Sequence, residues 1–88
     1  MPKYVHINML QHTVINEISN HLRCQPSDIH PNMKLEALGI DSLGAITILY
    51  ELEDQFDIEI PYEVFDSLET VNDIVIKLQE IIDTKNSV

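Results

Sequence analysis

Three runs of apolar residues recur at the helical period, and they leave little of the chain free to be anything but helix. Ile7, Leu10, Val14, Ile15, Ile18 and Leu22 advance by three, four and one, which lays them along one stripe and predicts a helix over 7–22. Leu43, Ile46, Leu49, Tyr50, Leu52 and Phe56 predict a second helix from Ser42 to about Phe56, with a stripe too wide for one interface and part of it therefore exposed. Val71, Ile74, Val75, Leu78, Ile81 and Ile82 predict a third, about Val71 to Ile82, opened by the capping box Thr70-Val71-Asn72-Asp73. The one strand-like stretch is Asp57-Ile58-Glu59-Ile60-Pro61, and no second strand exists to pair with it. It reads as an extended turn, with Pro61 at the first position of a short helix through about Asp66. The fold class is all-α: a small bundle of three main helices plus one short helix, with a long loop between helices one and two.

That loop covers Arg23 to Ile40, where the periodicity fails and Pro26 and Pro31 forbid a continuous helix. Unstructured connections beyond about 12–15 residues are uncommon and tend to be functional or held down by their own side chains. Ile29, Met33, Leu35 and Leu38 are the pegs that do the holding. With 44% apolar residues in 88, the chain has enough for one small core and not for two. It is one domain over 1–88, folded over 5–83, with a polar tail at 84–88 expected to fray. Ile46, Leu49, Ile74, Val75 and Leu78 belong to the core by default.

Charge narrows the partners. Fifteen Asp and Glu stand against five Lys and Arg, a formal net charge of −10, so the domain repels nucleic acid and anionic membrane. Between Glu36 and Ile76 there are eleven acidic residues and no Lys or Arg, and a basic protein surface is the natural complement. The lone Cys24 has no internal disulfide partner, which fits a reducing compartment, the cytoplasm. The N-terminus lacks the apolar run of a signal peptide, and no segment approaches the ~18–20 apolar residues of a span, so membrane insertion is not expected. His6, His12, His21 and His30 show no helical pairing among themselves, and His21 shares helical spacing only with Cys24, too few ligands for a zinc site. Asp54, Asp57 and Glu59 lack the alternating acids and the glycine of a calcium loop. No metal site is expected.

The stretch Leu38-Gly39-Ile40-Asp41-Ser42-Leu43 marks where the loop gives way to helix two. Asp41 is placed to cap that helix by accepting from its free N–H groups, which leaves Ser42 at the first helical position with its hydroxyl outside. An anionic group attached there would face the positive end of the helix dipole. Ser42 as a hydrolase nucleophile does not fit, since the GxSxG turn and its preceding strand are absent. On helix-start chemistry alone, Asp41 and Ser42 also read as nothing more than the residues that begin a helix.

Context decides between these. The pegs in Asp28-Ile29-His30-Pro31 and Leu35-Glu36-Ala37-Leu38, the motif Leu38-Gly39-Ile40-Asp41-Ser42-Leu43, then Leu52-Glu53-Asp54-Gln55-Phe56, Ile58-Glu59-Ile60-Pro61 and Leu68-Glu69-Thr70-Val71-Asn72-Asp73-Ile74 follow one another in an order and spacing that resembles the acyl carrier protein family over nearly the whole chain. The resemblance implies that a phosphopantetheinyl transferase attaches 4′-phosphopantetheine from coenzyme A covalently to Ser42. The arm then carries acyl intermediates as thioesters for fatty acid or related polyketide and lipid biosynthesis, and the chain is no enzyme. It implies a partner surface on helix two, with Leu43, Ile46 and Tyr50 as the apolar strip and Asp41, Glu53 and Asp54 as flanking acids. That surface serves acyl-loading, condensing or acyltransferase enzymes with basic docking surfaces, and the carrier acts as a monomer. It further implies that an acyl chain slips between the helices, with room beside the small Ala45. A peptidyl or aminoacyl carrier with the same prosthetic group is the first alternative, and a plain helical interaction domain the second. Gly44 and Thr47 depart from the family pattern, standing where its fatty-acid members usually present acids. The glycine costs ~0.8–1 kcal/mol of helix propensity against Ala; a specialised partner coming close at Gly44, or drift at a tolerant position, would account for it.

Overall fold

The computed structural model describes residues 7–86; Val5, expected as the first folded residue, lies outside them, as do Ser87 and Val88 at the end of the polar tail. Helix α1 spans Ile7–Leu22, as its apolar spacing predicts, and buries Leu10, Val14 and Ile18 completely. It stops at Arg23, whose backbone turns left-handed (φ 59°), while the Cys24 N–H donates to the Ser19 carbonyl at 3.0 Å and so satisfies one of the last free acceptors.

The connection to the second helix holds more regular structure than expected. Pro26–Asp28 forms a single 3-10 turn, with the Gln25 N–H donating to Asp28 Oδ2 at 3.3 Å. Proline forbids a continuing α-helix but not a turn that opens on its fixed φ. Beyond it, Ile29 and Leu35 are buried and Met33 and Leu38 half-buried, so the pegs hold the loop as anticipated. Backbone bonds then stitch the loop to the start of the last helix: Leu35 N–H to Glu69 O at 2.8 Å, Val71 N–H to Met33 O at 3.0 Å, and Asn72 N–H to Pro31 O at 2.8 Å. The antiparallel bridge between Lys34 and Thr70 is the nearest approach to a sheet among the described residues.

Helix α2 spans Ser42–Phe56, and its buried residues are Ile48, Leu49 and Leu52. Ile46, expected in the core, is only half-buried, and Ile48 takes the place. The inward face is the 45, 48, 49, 52 row, and Ile46 lies to one side of it on a helix of about 3.6 residues per turn. α2 ends at Asp57, also left-handed (φ 54°). The Asp57–Pro61 stretch buries Ile58 and Ile60 and exposes Glu59, and its alternation finds a side chain in place of a second strand. The Ile60 N–H donates to Glu53 Oε2 at 2.6 Å, and the Ile58 N–H to the Glu53 carbonyl at 3.1 Å.

The short helix is a correction in kind and register. It is a 3-10 helix over Tyr62–Ser67, with Pro61 just before its first residue and accepting from the Val64 N–H at 3.0 Å. A period of three eclipses positions three apart. Tyr62 and Phe65 accordingly lie against each other with ring centroids 5.6 Å apart.

Helix α3 spans Val71–Asn86, one turn further than its apolar spacing indicated. Thr84 to Asn86, expected to fray, are helical: the Thr84 hydroxyl donates to the Glu80 carbonyl at 2.9 Å, and Lys85 reaches the Asp57 carbonyl and carboxylate. The capping box forms as read from the sequence, with the Asp73 N–H donating to Thr70 Oγ1 (3.1 Å) and the Thr70 N–H to Asp73 Oδ2 (3.0 Å). Asp73 Oδ2 also accepts from the Glu69 N–H, and these backbone donors hold the Asp73 carboxyl below its ordinary range. α1 is the helix that both α2 and α3 approach, and Leu10, Val14, Ile18, Leu52, Val71 and Val75 meet in the middle fully enclosed.

Candidate functional site

The start of α2 is shaped by the residue two before its cap. Gly39 has φ +80°, a region L side chains rarely enter, and this lets the Gly39 N–H reach Glu36 O (3.0 Å) and the Ile40 N–H reach Leu35 O (2.9 Å). The turn buries Ile40 and delivers Asp41 in an extended conformation, where its Oδ1 accepts from the Gly44 N–H at 2.8 Å. Ser42 is then the first helical residue, exposed to solvent. Among the described residues the N–H groups of Ser42 and Leu43 keep no protein acceptor, so two donors of the first turn stay open at the positive end of the helix dipole.

Beside Ser42 opens a cleft of about 450 Å³. Leu35, Ile40, Ala45, Phe65 and Leu68, from the loop, α2, the second 3-10 helix and the residue that follows it, supply the apolar part of its lining, but most of its exposed surface is polar. Lys34, Glu36, Asp41 and Glu69 complete the lining. A larger cleft of about 670 Å³ between the 57–64 turn and the end of α3 includes no residue of the first turn of α2.

Of the residues singled out from the sequence, Asp41, Ser42 and Leu43 share the first turn, and Ile46, Tyr50 and Asp54 follow at helical spacing. Leu43 and Tyr50 are large apolar side chains left 72% and 59% exposed, which no requirement of the core explains. Ile46 is half-buried beside them, and Asp54 is exposed. Glu53 differs from these: it is half-buried, with a carboxylate oxygen committed to Ile60.

Gly44 has an internal reason. A Cβ there would lie 3.3 Å from each of Asp41 Oδ1, His21 Nε2 and Ile40 Cγ2, so the glycine lets the end of α1 close against the first turn of α2. Thr47 is exposed and returns its hydroxyl to the Leu43 carbonyl.

Sequence reasoning missed Phe65, Tyr62 and Lys34. Phe65 lines the cleft and meets Tyr50 edge-on at 6.4 Å, which extends the apolar strip onto the 3-10 helix and the 74%-exposed Tyr62. The three-residue spacing of the two aromatics was the available signal. Lys34 stands two positions before the uninterrupted acidic stretch, and only the stitched loop puts it in the lining of the cleft that Ser42 also lines.

The family model for the phosphopantetheine attachment site matches residues 12–78. This chain belongs to the acyl carrier protein family. It is 36% identical over 66 residues to an acyl carrier protein of Syntrophobacter fumaroxidans, covering 74% of this chain and 82% of that one. A second, from Wolinella succinogenes, is 36% identical over 59 residues, covering 66% of this chain and 78% of its own. The fold matches the crystal structure of an acyl carrier protein from Thermotoga maritima with a TM-score of 0.81 at 18% identity, over 91% of this chain and 94% of that one. Membership makes the chain a carrier that other enzymes act upon, not a catalyst, with 4′-phosphopantetheine as the family's prosthetic group. Phosphopantetheinyl transferases and biosynthetic enzymes are the partners of such carriers in general. Among the described residues no helix is long and apolar enough to cross a membrane.

Proposed function

We propose that Ser42 is the attachment residue, and that the chain delivers acyl intermediates as thioesters to enzymes of fatty acid or related polyketide and lipid biosynthesis, as a cytoplasmic monomer. The observation that carries this reading is the exposed Ser42 hydroxyl at the first position of a capped helix, beside an open cleft. In the transfer from coenzyme A, Ser42 Oγ forms a new bond to phosphorus, the pyrophosphate linkage breaks, the hydroxyl proton goes to a base of the transferase, and 3′,5′-adenosine bisphosphate leaves. The residues fit the product. A phosphodiester there would face the free Ser42 and Leu43 N–H groups and the helix dipole, worth about 0.3–1 kcal/mol, and the arm would have the cleft beside Ser42 to enter. The arm supplies the thiol that bears the cargo, and this chain supplies its position.

Docking falls to the exposed strip of Leu43, Ile46 and Tyr50 with Asp54 beside it, a surface whose charge suits basic partner enzymes. Asp41 and Glu53 have internal tasks as well, so their carboxylates serve partners while remaining bonded to Gly44 and Ile60. Ala45, small and in the lining of the cleft, leaves room for the first atoms of an acyl chain. Incubation with coenzyme A and a broad phosphopantetheinyl transferase, followed by intact mass measurement, tests the central claim. A gain of one phosphopantetheinyl group that Ser42→Ala abolishes is expected. No gain, or a gain that survives the substitution, overturns it.

A further inference from the structure

The cleft beside Ser42 poses an electrostatic problem for any group carried there. Glu36, Asp41 and Glu69 already line it, and a phosphodiester on Ser42 would add a fourth negative charge. Lys34 is the one cationic side chain in that lining. Its position is firmly set, because its backbone bridges to Thr70 and its neighbours Met33 and Leu35 are bonded to Val71 and Glu69. Its ammonium is uncommitted. Among the described residues the lysine ion pairs are Lys77 with Glu80 and Lys85 with Asp57, and Lys34 makes none.

We propose that Lys34 is a binding residue for the prosthetic group, its ammonium pairing with the phosphodiester on Ser42 and holding the arm against the cleft. The inference rests on Ser42 as the attachment residue. A phosphodiester oxygen offers the exposed lysine a charge-assisted hydrogen bond on a group whose other face the helix N-terminus already favours. Leu35, Ile40 and Phe65 are the apolar side chains of the same lining that the arm's methyl-bearing pantoyl segment would meet. The stretch from Glu36 to Ile76 holds no Lys or Arg by sequence, and the loop brings one lysine into a cleft that three carboxylates line.

The test uses the loaded protein and phosphorus NMR. Holo wild type, Lys34→Ala and Lys34→Arg are compared at low and high ionic strength, with isotope-labelled pantetheine amides reporting the mobility of the arm. Expected is a phosphodiester resonance displaced in Lys34→Ala, restored by Lys34→Arg, and driven by salt toward the alanine position in the wild type alone. The docked-to-free ratio of the arm should fall about two- to fivefold in Lys34→Ala, the size of an exposed ion pair. Resonances and arm mobility that are the same in wild type and Lys34→Ala overturn the inference, as does a displacement that Lys34→Arg fails to restore. Failure of the attachment reading looks different: no phosphopantetheinyl mass is gained and no phosphodiester resonance exists.

Discussion

Glu53→Ala should be more damaging than an acidic surface residue has any right to be. Its Oε2 accepts the Ile60 N–H at 2.6 Å, and Ile60 is 7% exposed, so the donor it leaves behind has little access to replacement water. A hydrogen bond to a charged acceptor contributes about 1.5–3 kcal/mol net, and a half-buried carboxylate belongs in the lower half of that range, about 1.5–2 kcal/mol. For a domain of this size each kcal/mol moves the melting temperature about 4–8 °C, so a fall of roughly 6–16 °C is expected. Glu53→Gln keeps an acceptor oxygen and should recover half the loss or more. Asp54→Ala, one residue along and exposed, should stay within about 0.5 kcal/mol of wild type. Urea unfolding followed by far-ultraviolet circular dichroism reads all three, with an unchanged slope required for the comparison. Equal midpoints for Glu53→Ala and Asp54→Ala would refute the assignment of Glu53 to the 57–61 turn.

Asp73 gives a pH prediction: its carboxyl is lowered by the Glu69 and Thr70 N–H groups, so its contribution is present above the ordinary aspartate range and is lost as pH falls through the lowered folded value. Asp73→Asn should flatten that acid loss, measured as melting temperature against pH, and an unchanged acid limb would count against the cap. Gly44→Ala gains up to ~1 kcal/mol of helix propensity but sets a methyl 3.3 Å from Asp41, His21 and Ile40, so calorimetry should find a net change near zero instead of the full gain. Gly44→Asp with Thr47→Glu should alter loading by partner enzymes, and unchanged rates with both its own and general fatty-acid enzymes would remove these positions from specificity. Leu43→Ser, at a side chain 72% exposed, should leave the melting temperature within a few degrees while slowing acyl loading, and equal rates would discard the docking strip.

The three helices were legible because each depends on a local periodicity that tertiary contacts only complete. The end of α1 and both ends of α2 were read correctly, since Arg23 follows the last apolar position and Asp41 is a strong cap. The end of α3 was not, because Thr84 and Lys85 are polar and it is a carbonyl one turn back and the distant Asp57 that keep them helical. Tyr62–Ser67 was legible as a turn of helix but not as 3-10, since six residues hold too few periods to tell three per turn from 3.6. The cap at the start of α2 was readable from Asp41, which accepts from the Gly44 N–H of the first turn. Lys34 beside Ser42 and His21 beside Gly44 were not, because each joins residues on different elements and no spacing along the chain records it.

α2 is fixed at both ends. Asp41 and the close approach at Gly44 clamp its start, and the bond from Glu53 to Ile60 anchors its end. Between those clamps the helix is a ruler. Eight residues separate Ser42 from Tyr50, a rise of about 12 Å that no rearrangement of side chains alters. With Ser42 as the proposed attachment residue and the apolar strip as the proposed docking surface, an enzyme gripping that strip would have to keep its arm entrance at that one offset, and a partner built to a different gauge would be refused by length before chemistry is consulted.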